Sequence, residues 1–317
     1  MDVSAPEMTT TDPSSPPADE PTEQRKLFSE ISPLTYELSV RKERLKRHLR
    51  NLLPGMKLAK TRSDEVLPVL IMQHQSLIRR RLKNVDMQLQ ENKAVNLGLT
   101  TPKVTKVLVR PGETFSFWRL VGNPSGRKGY LAGLTASNGK PSSAVGGGLC
   151  QFTNLLHWMV LHTDLEIVEH HHHNGLDLFP DFNRQIPFGT GTSIFYNYLD
   201  YQIKNTSEKT YQIIVYTTDE YLCGEIRCSE PLDIAVHIRE EEFYFYEQAG
   251  QMIRHNKIYR QVVDKATGDI IEDKLLLENN AVVMYDRELI NKDMIRESPE
   301  SPLAQGSATE NPPACEN

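Results

Sequence analysis

The stretch Ala144-Val145-Gly146-Gly147-Gly148-Leu149-Cys150-Gln151-Phe152-Thr153-Asn154 runs three glycines into a cysteine at the head of an apolar segment. From Leu149 the apolar residues Phe152, Leu155, Leu156, Met159 and Val160 recur at the i, i+3, i+4, i+7 spacing of an amphipathic helix. That spacing puts Cys150 in the first helical turn. Unpaired N–H groups and the positive end of the helix dipole favour the thiolate there, the form of cysteine that is nucleophilic or binds metal. Glycines carry no Cβ, so they take positive φ and let another backbone or a substrate approach the sulfur. The same letters also fit a Gly-rich turn ahead of a core helix with a buried cysteine, because free Cys is among the most buried residue types.

The residues beyond the helix bear on that choice. A helix over 150–163 is roughly 20 Å long at about 1.5 Å per residue, and Leu165-Glu166-Ile167-Val168-Glu169 then reads as a strand entering His170-His171-His172-His173-Asn174. A strand covers about 3.3 Å per residue, so one folded back along the helix returns the histidines to the level of Cys150. A thiol with a neighbouring imidazole is the arrangement nucleophilic catalysis needs, since the base removes and later returns the proton. Strand alternation puts His171 and His173 on one face and His170 and His172 on the other, so one pair faces the sulfur. Cys150, His171 and His173 would also supply three ligands for a catalytic zinc with one open position, but no further Cys or His spacing completes a structural site. No metal and no cofactor are assigned.

With 317 residues and 38% hydrophobic content the chain is long enough for one large domain or two small ones. No run reaches the roughly 18 apolar residues of a membrane span, the start lacks a signal-peptide pattern, and the four cysteines show no framework spacing. A reducing, cytoplasmic setting is expected. Residues 1–24 and 297–317 hold ten acids and no Lys or Arg, so the net charge of −6 hides a body near +4. Both ends, taken as 1–32 and 293–317, are too polar to repay the entropy of ordering and read as disordered tails.

From Pro33 to Leu53 a basic helix is expected, packed on the body through its leucines, with Arg41, Lys42, Arg44, Lys46, Arg47 and Arg50 solvated. A membrane-surface contact through this helix is the less favoured reading, and nothing in the chain patterns for nucleic acid. Beyond it come strand Glu65–Gln73, helix Ser76–Val85 and a helix in Gln90–Leu97, whose polar groups fix a neighbouring loop. Arg110-Pro111-Gly112-Glu113 has the Pro-Gly pair of a type II turn, and Thr114–Trp118 alternates like a half-buried strand. The second half reads as hairpins: Thr192–Lys204 with Thr210–Thr217, Tyr221–Arg227, Leu232–Arg239, and Lys257–Asp264 with Ile270–Leu277. Cys223 and Cys228 are structural in this reading.

Pro111-Gly112-Glu113-Thr114-Phe115-Ser116-Phe117-Trp118, then Gly129-Tyr130, then Gly146-Gly147-Gly148-Leu149-Cys150-Gln151 and a His-containing strand resemble the VanW family, named for the accessory protein of bacterial glycopeptide-resistance gene clusters. The resemblance extends over about residues 33–290. It lays His171 and His173 on family histidines, with His170 in place of an Arg. Many relatives carry Asp where this chain has Gly191, in Gly189-Thr190-Gly191-Thr192-Ser193; an acid orienting the histidine would then be another, such as Asp177 or Asp181, or the activity is lost.

Together these readings give an α+β fold: N-terminal helices over 33–100, a VanW-like core over 101–230 built on an antiparallel sheet with a Gly-loop, Cys-helix and His-strand unit, and C-terminal β-hairpins over 231–292. Cys150, His173 and His171 are the expected catalytic residues, and Gly146, Gly147, Gly148, Gln151 and Glu113 the expected substrate contacts, with Gly148–Gln151 N–H groups as an oxyanion site. The expected chemistry is acyl transfer or amide hydrolysis on a small molecule or cell-wall precursor, the substrate class and the vancomycin link being what the resemblance implies. The alternatives are a non-catalytic module holding an anion at the Gly loop, or a Cys/His zinc site. Oligomeric state is not readable.

Overall fold

The computed structural model describes residues 32–50, 56–80, 86–137, 140–172, 175–177, 180–181 and 185–298. Most of both expected tails, His173, and residues 81–85 of the expected helix Ser76–Val85 lie outside the described residues. In chain order the elements are α1 Pro33–Arg50, β1 Lys57–Leu58, β2 Val69–Leu77, α2 Met87–Val104, β3 Val107–Val109, β4 Glu113–Ser116, α3 Phe117–Val121, β5 Ala132–Ser137, β6 Lys140–Val145 and α4 Cys150–Val160. Then come β7 Glu166–Glu169, β8 Leu176–Asp177, β9 Gln202–Lys204, β10 Tyr211–Thr217, β11 Tyr221–Cys228, β12 Ile234–Gln248, β13 Gln251–Asp264, β14 Ile270–Val283 and β15 Ile295–Arg296. Strands outweigh helices, and the α-helices described all precede residue 161.

One sheet, ordered β2-β11-β10-β3, is antiparallel throughout and carries the core. Helix α4 lies over β2 and β11, and α2 beside β10. Leu155 and Met159 of α4, Leu97 and Val104 of α2, and Ile213, Val215, Leu222 and Ile226 of the sheet all fall in one buried cluster. The second sheet, β1-β4-β9-β7, is mixed: β1 runs parallel to β4, while β4, β9 and β7 are antiparallel. It carries the strand that leads into the histidines. A third sheet, β15-β12-β13-β14-β8, is a long antiparallel ribbon with short parallel strands at both edges. Arg260 of β13 ties it to the end of α4, donating to the carbonyls of Leu161 (3.0 Å) and Thr163 (2.7 Å).

Several elements depart from the sequence expectations. The antiparallel sheet expected to carry the core unit is two sheets and the β5–β6 hairpin, one of them mixed where the histidine strand sits, while the expected C-terminal hairpins lie in the third sheet. Ser76 and Leu77, expected in a helix, finish β2, because they pair with Leu222 and Tyr221 of β11. Helix α2 extends well past Leu97: Thr100 and Thr101 look like breakers but donate their hydroxyls to the carbonyls of Asn96 and Leu97, at 2.8 and 2.9 Å. Ser116 ends β4 and caps α3, accepting from the Arg119 N–H, so Phe117 and Trp118 are helical. The alternation of Thr192–Lys204 is strand only at Gln202–Lys204; Asn197, at φ 53°, turns the chain between Phe195 and Leu199. Residues 240–256, to which the sequence pattern assigns no element, extend β12 and β13 into one ribbon that reverses at Ala249-Gly250, both with positive φ.

The turn at Arg110–Glu113 forms as expected, with Gly112 at φ 74° and the Glu113 N–H donating to Arg110. Helix α1 docks through Arg47, which is buried, whereas Leu34, Leu38 and Leu45, expected to pack, are exposed. No helix among the described residues is long and apolar enough to cross a membrane.

The close approach of α4 to β11 depends on Gly224. A Cβ there would stand 2.6 Å from Met159 Cε and 3.0 Å from Leu155 Cδ2. Gly224→Val is therefore expected to lower unfolding free energy by about 1–3 kcal/mol in urea titration, with Gly224→Ala costing less because the Met159 tip can shift.

Candidate functional site

Helix α2 turns a polar stripe, Gln90, Lys93 and Asn96, into the protein, and all three are buried. The Asn96 carboxamide donates to the carbonyls of Gly147 (2.9 Å) and Leu131 (3.0 Å) and accepts from the Leu131 N–H (2.8 Å). This fastens the glycine loop to the base of the β5–β6 hairpin. Gly147 lies so close to Gly133 that a Cβ would meet that residue's carbonyl oxygen at 2.1 Å. Gly148, at φ 89°, lies under the Lys93 side chain, whose Cγ would be 2.2 Å from a Cβ. These glycines are thus needed for packing of the loop itself.

Cys150 opens α4 as expected and is half-buried. Of the expected oxyanion donors, the Gln151 N–H is already given to the Gly148 carbonyl at 3.1 Å. The Gln151 side chain bonds Ser76 Oγ and the Leu77 carbonyl, each at 2.9 Å, so it anchors α4 to the end of β2. Glu113 is buried and closes its own turn, accepting from the Arg110 N–H at 3.0 Å.

The histidine strand does return along α4. His170 stacks on His157 of that helix, with ring centroids 3.9 Å apart and planes at 16°. His172 meets His170 edge-on at 4.1 Å, so the even-numbered pair shares a face. Carbonyls only accept, so His170 donates Nε2–H to Gly191 and His172 donates Nδ1–H to Gly189, both at 3.2 Å. Burial, reinforced by His172, holds His170 neutral with a pKa of about 3, and burial drives His157 well below its ordinary value. His171 faces the other way, toward Glu169, at 3.0 Å. His173 lies outside the described residues. Among the described residues no cluster of three His, Cys, Asp or Glu suits a metal ion.

Glu169 is the carboxylate that reaches the run. It accepts from the two terminal guanidinium nitrogens of Arg47, from His171 and from the Asp200 N–H. Burial alone would raise its pKa; the hydrogen bonds from Arg47, His171 and the backbone hold it at about 2. Asp200 beside it is buried and takes hydrogen bonds from Ser116, the Trp118 and Tyr201 N–H groups, and Gln202. Asp177 and Asp181, the acids expected to serve a histidine, instead bind Arg254, which is sandwiched between Phe188 and Phe243. A cavity of about 510 Å³ opens there, against Trp158 near the far end of α4 from Cys150. A Cβ at Gly191 would touch only Asn154, at 3.8 Å, so the missing Asp is not a steric requirement of this fold.

Comparison with known proteins places these motifs. A family profile described as VanW like protein matches residues 92–227, from within α2 to the last residue but one of β11. The vancomycin B-type resistance protein VanW of Enterococcus faecalis is 34% identical over 227 residues, covering 72% of this chain and 82% of that protein. The chain belongs to the VanW family. The uncharacterized protein YoaR of Bacillus subtilis is 34% identical over 83 residues, 26% of this chain and 27% of its own. No solved structure matches.

Within this VanW-family chain, Lys93, Arg47 and Glu169 escape a reading of the sequence alone. Lys93 stands there as one of several polar residues on a helix that fixes a loop, a role Asn96 fills. Glu169 ends a strand with no feature to set it apart; an acid two residues before His171, on the same strand face, is the available signal.

The pH dependence of the Arg47–Glu169 pair follows from its sign. With the folded carboxyl near pKa 2 and its ordinary value 4.5, the stabilisation is full above about pH 4.5 and is lost as pH falls toward 2. Glu169→Gln is expected to cost about 3 kcal/mol at pH 7, because it removes the carboxylate bound to a buried guanidinium and leaves that cation the Tyr198 carbonyl. The difference from wild type should shrink on acidification across that window, measured by denaturant unfolding at stepped pH.

Proposed function

We propose that this chain is a cytoplasmic thiol enzyme of acyl transfer or amide hydrolysis, acting on a peptidoglycan precursor and linked to vancomycin resistance as its enterococcal relative's name states. The observation that carries the reading is the return of the histidine strand along the helix that Cys150 opens, seen in the His157–His170 stack. From His157 back to Cys150 is about two helical turns, roughly 10 Å.

In this reading an imidazole takes the thiol proton and the sulfur attacks the substrate carbonyl carbon. The C–N bond breaks, and the imidazolium returns the proton to the leaving amine. Water or an acceptor amine then cleaves the thioester and regenerates the thiol. His173 is the proposed base, with His172, on the α4 side of the run beside His170, as the alternative that the alkylation test separates. The Gly148–Cys150 backbone is the proposed ligand contact, and Glu169 is the proposed acid that orients the histidine face.

Alkylation by iodoacetamide tests this on the full chain. Cys150 should label well ahead of Cys223 and Cys228, which are buried in β11, with a midpoint below the ordinary thiol value of about 8.5. His173→Ala should shift that midpoint upward, whereas His172→Ala should do little. A shift on His172→Ala alone reassigns the base. A profile indistinguishable from an ordinary thiol removes the thiol-enzyme reading, and chelator-reversible protection by zinc replaces it with a metal site.

A further inference from the structure

Lys93 is 8% exposed and lies on the same inward stripe as Asn96. Its methylenes cross Gly148, and a Cβ on that glycine would be 2.6 Å from Lys93 Cδ. The ammonium is two bonds farther on, so covalent geometry keeps it beside the loop that opens α4, two residues from Cys150. The charged groups facing it are Arg80 and Arg79, both cations, on the chain leaving β2. Gln90, one turn before Lys93, holds that segment against α2 by accepting from the Arg80 N–H at 3.5 Å. The acid nearest in sequence, Glu91, is exposed and bound to Arg79 at 2.7 Å. No carboxylate of the described residues is among the charges acting on Lys93. Burial first, and these two cations second, bring its pKa down to about 7.

Most of the Lys93 side chain is out of water, and an ammonium so placed, with cations as the charges acting on it, gains free energy when an anion arrives. The amine end of Lys93 and the N-terminal end of α4 converge at the same loop, and both favour negative charge. We propose that Lys93 is the carboxylate-recognising residue of the Cys150 site, drawing a substrate carboxylate to the glycine loop and so placing the substrate's reacting carbonyl at the sulfur. This rests on the thiol-enzyme reading above and adds to it a substrate class: acyl donors that carry a free carboxylate near the bond to be broken.

The test compares two alkylating agents that differ in charge and share a leaving group. Iodoacetate carries a carboxylate and iodoacetamide does not. Their rate ratio at Cys150, referred to a free small thiol in the same buffer, cancels the thiolate fraction and reports the attraction for the carboxylate. At pH 6 the ratio should exceed the free-thiol value by about tenfold, in keeping with a charge-assisted contact, and it should decline as pH rises past 7 and Lys93 loses its proton. Lys93→Met keeps the methylenes over Gly148 and should return the ratio to the free-thiol value, with the iodoacetamide rate within about threefold of wild type. A wild-type ratio equal to that of the free thiol, or one that Lys93→Met leaves elevated, overturns the proposal while leaving the thiol reading in place. If Lys93→Met does not fold, the wild-type ratio and its pH profile decide the matter alone. A Cys150 inert to both reagents overturns the thiol reading and this one with it.

Discussion

The carboxamide of Asn96 is the contact on which the arrangement around Cys150 depends. It is fully buried and satisfies three backbone groups, two at Leu131 and one at Gly147. A buried amide that meets its partners contributes about a kcal/mol per bond, but losing it would leave those partners unsatisfied at a larger cost. This fixes the loop where no hydrophobic side chain could, since Gly133 and Gly147 bring two backbones closer than any Cβ allows. The Gly146 N–H then bonds the Leu131 carbonyl, and α4 begins two residues after Gly148. The position of the thiol is thereby inherited from α2.

The other side of the site is set by charge. Arg47 comes from α1, Glu169 from β7 and Asp200 from the residues before β9, and they meet in a partly buried network. Neutral imidazoles at His157 and His170 lie on the helix side of the strand, while His171 turns to Glu169. A buried row of imidazoles cannot all carry charge at once, so protons taken up near α4 have few places to reside. The VanW-family motif pair thus reads as two halves of one scaffold. Phe115, Phe117 and Trp118 of the first motif share one buried cluster with Leu149 and Phe152, which flank Cys150 in the second.

Legibility in the sequence tracked the periodicity of its residues. The amphipathic spacing from Leu149 located the start of α4 at Cys150 and overran its end by three residues, and the Pro111-Gly112 pair located its turn. Where local pattern and tertiary pairing conflicted, pairing prevailed: Ser76 and Leu77 belong to β2 because β11 lies alongside them. The long ribbon β12–β13 was hidden by Arg239-Glu240-Glu241-Glu242, charges that an exposed ribbon tolerates at no cost. In the site, Cys150 and the histidine strand were visible as residue types in order. The roles of Gly147 and Gly148 were not, because a close approach between loops distant in sequence leaves no local mark. Nor could sequence show that Asp177 and Asp181 belong to Arg254.

The most direct test of the account is native-state hydrogen exchange on Asn96→Ala. If Asn96 holds the loop that positions Cys150, the amides of Leu131 and Gly146 should exchange at least about a hundredfold faster than in wild type, while those of Ile213 and Ile226 in the β10–β11 pair keep their protection. Unchanged exchange at Leu131 and Gly146, or an equal loss of protection throughout the sheet, would contradict it.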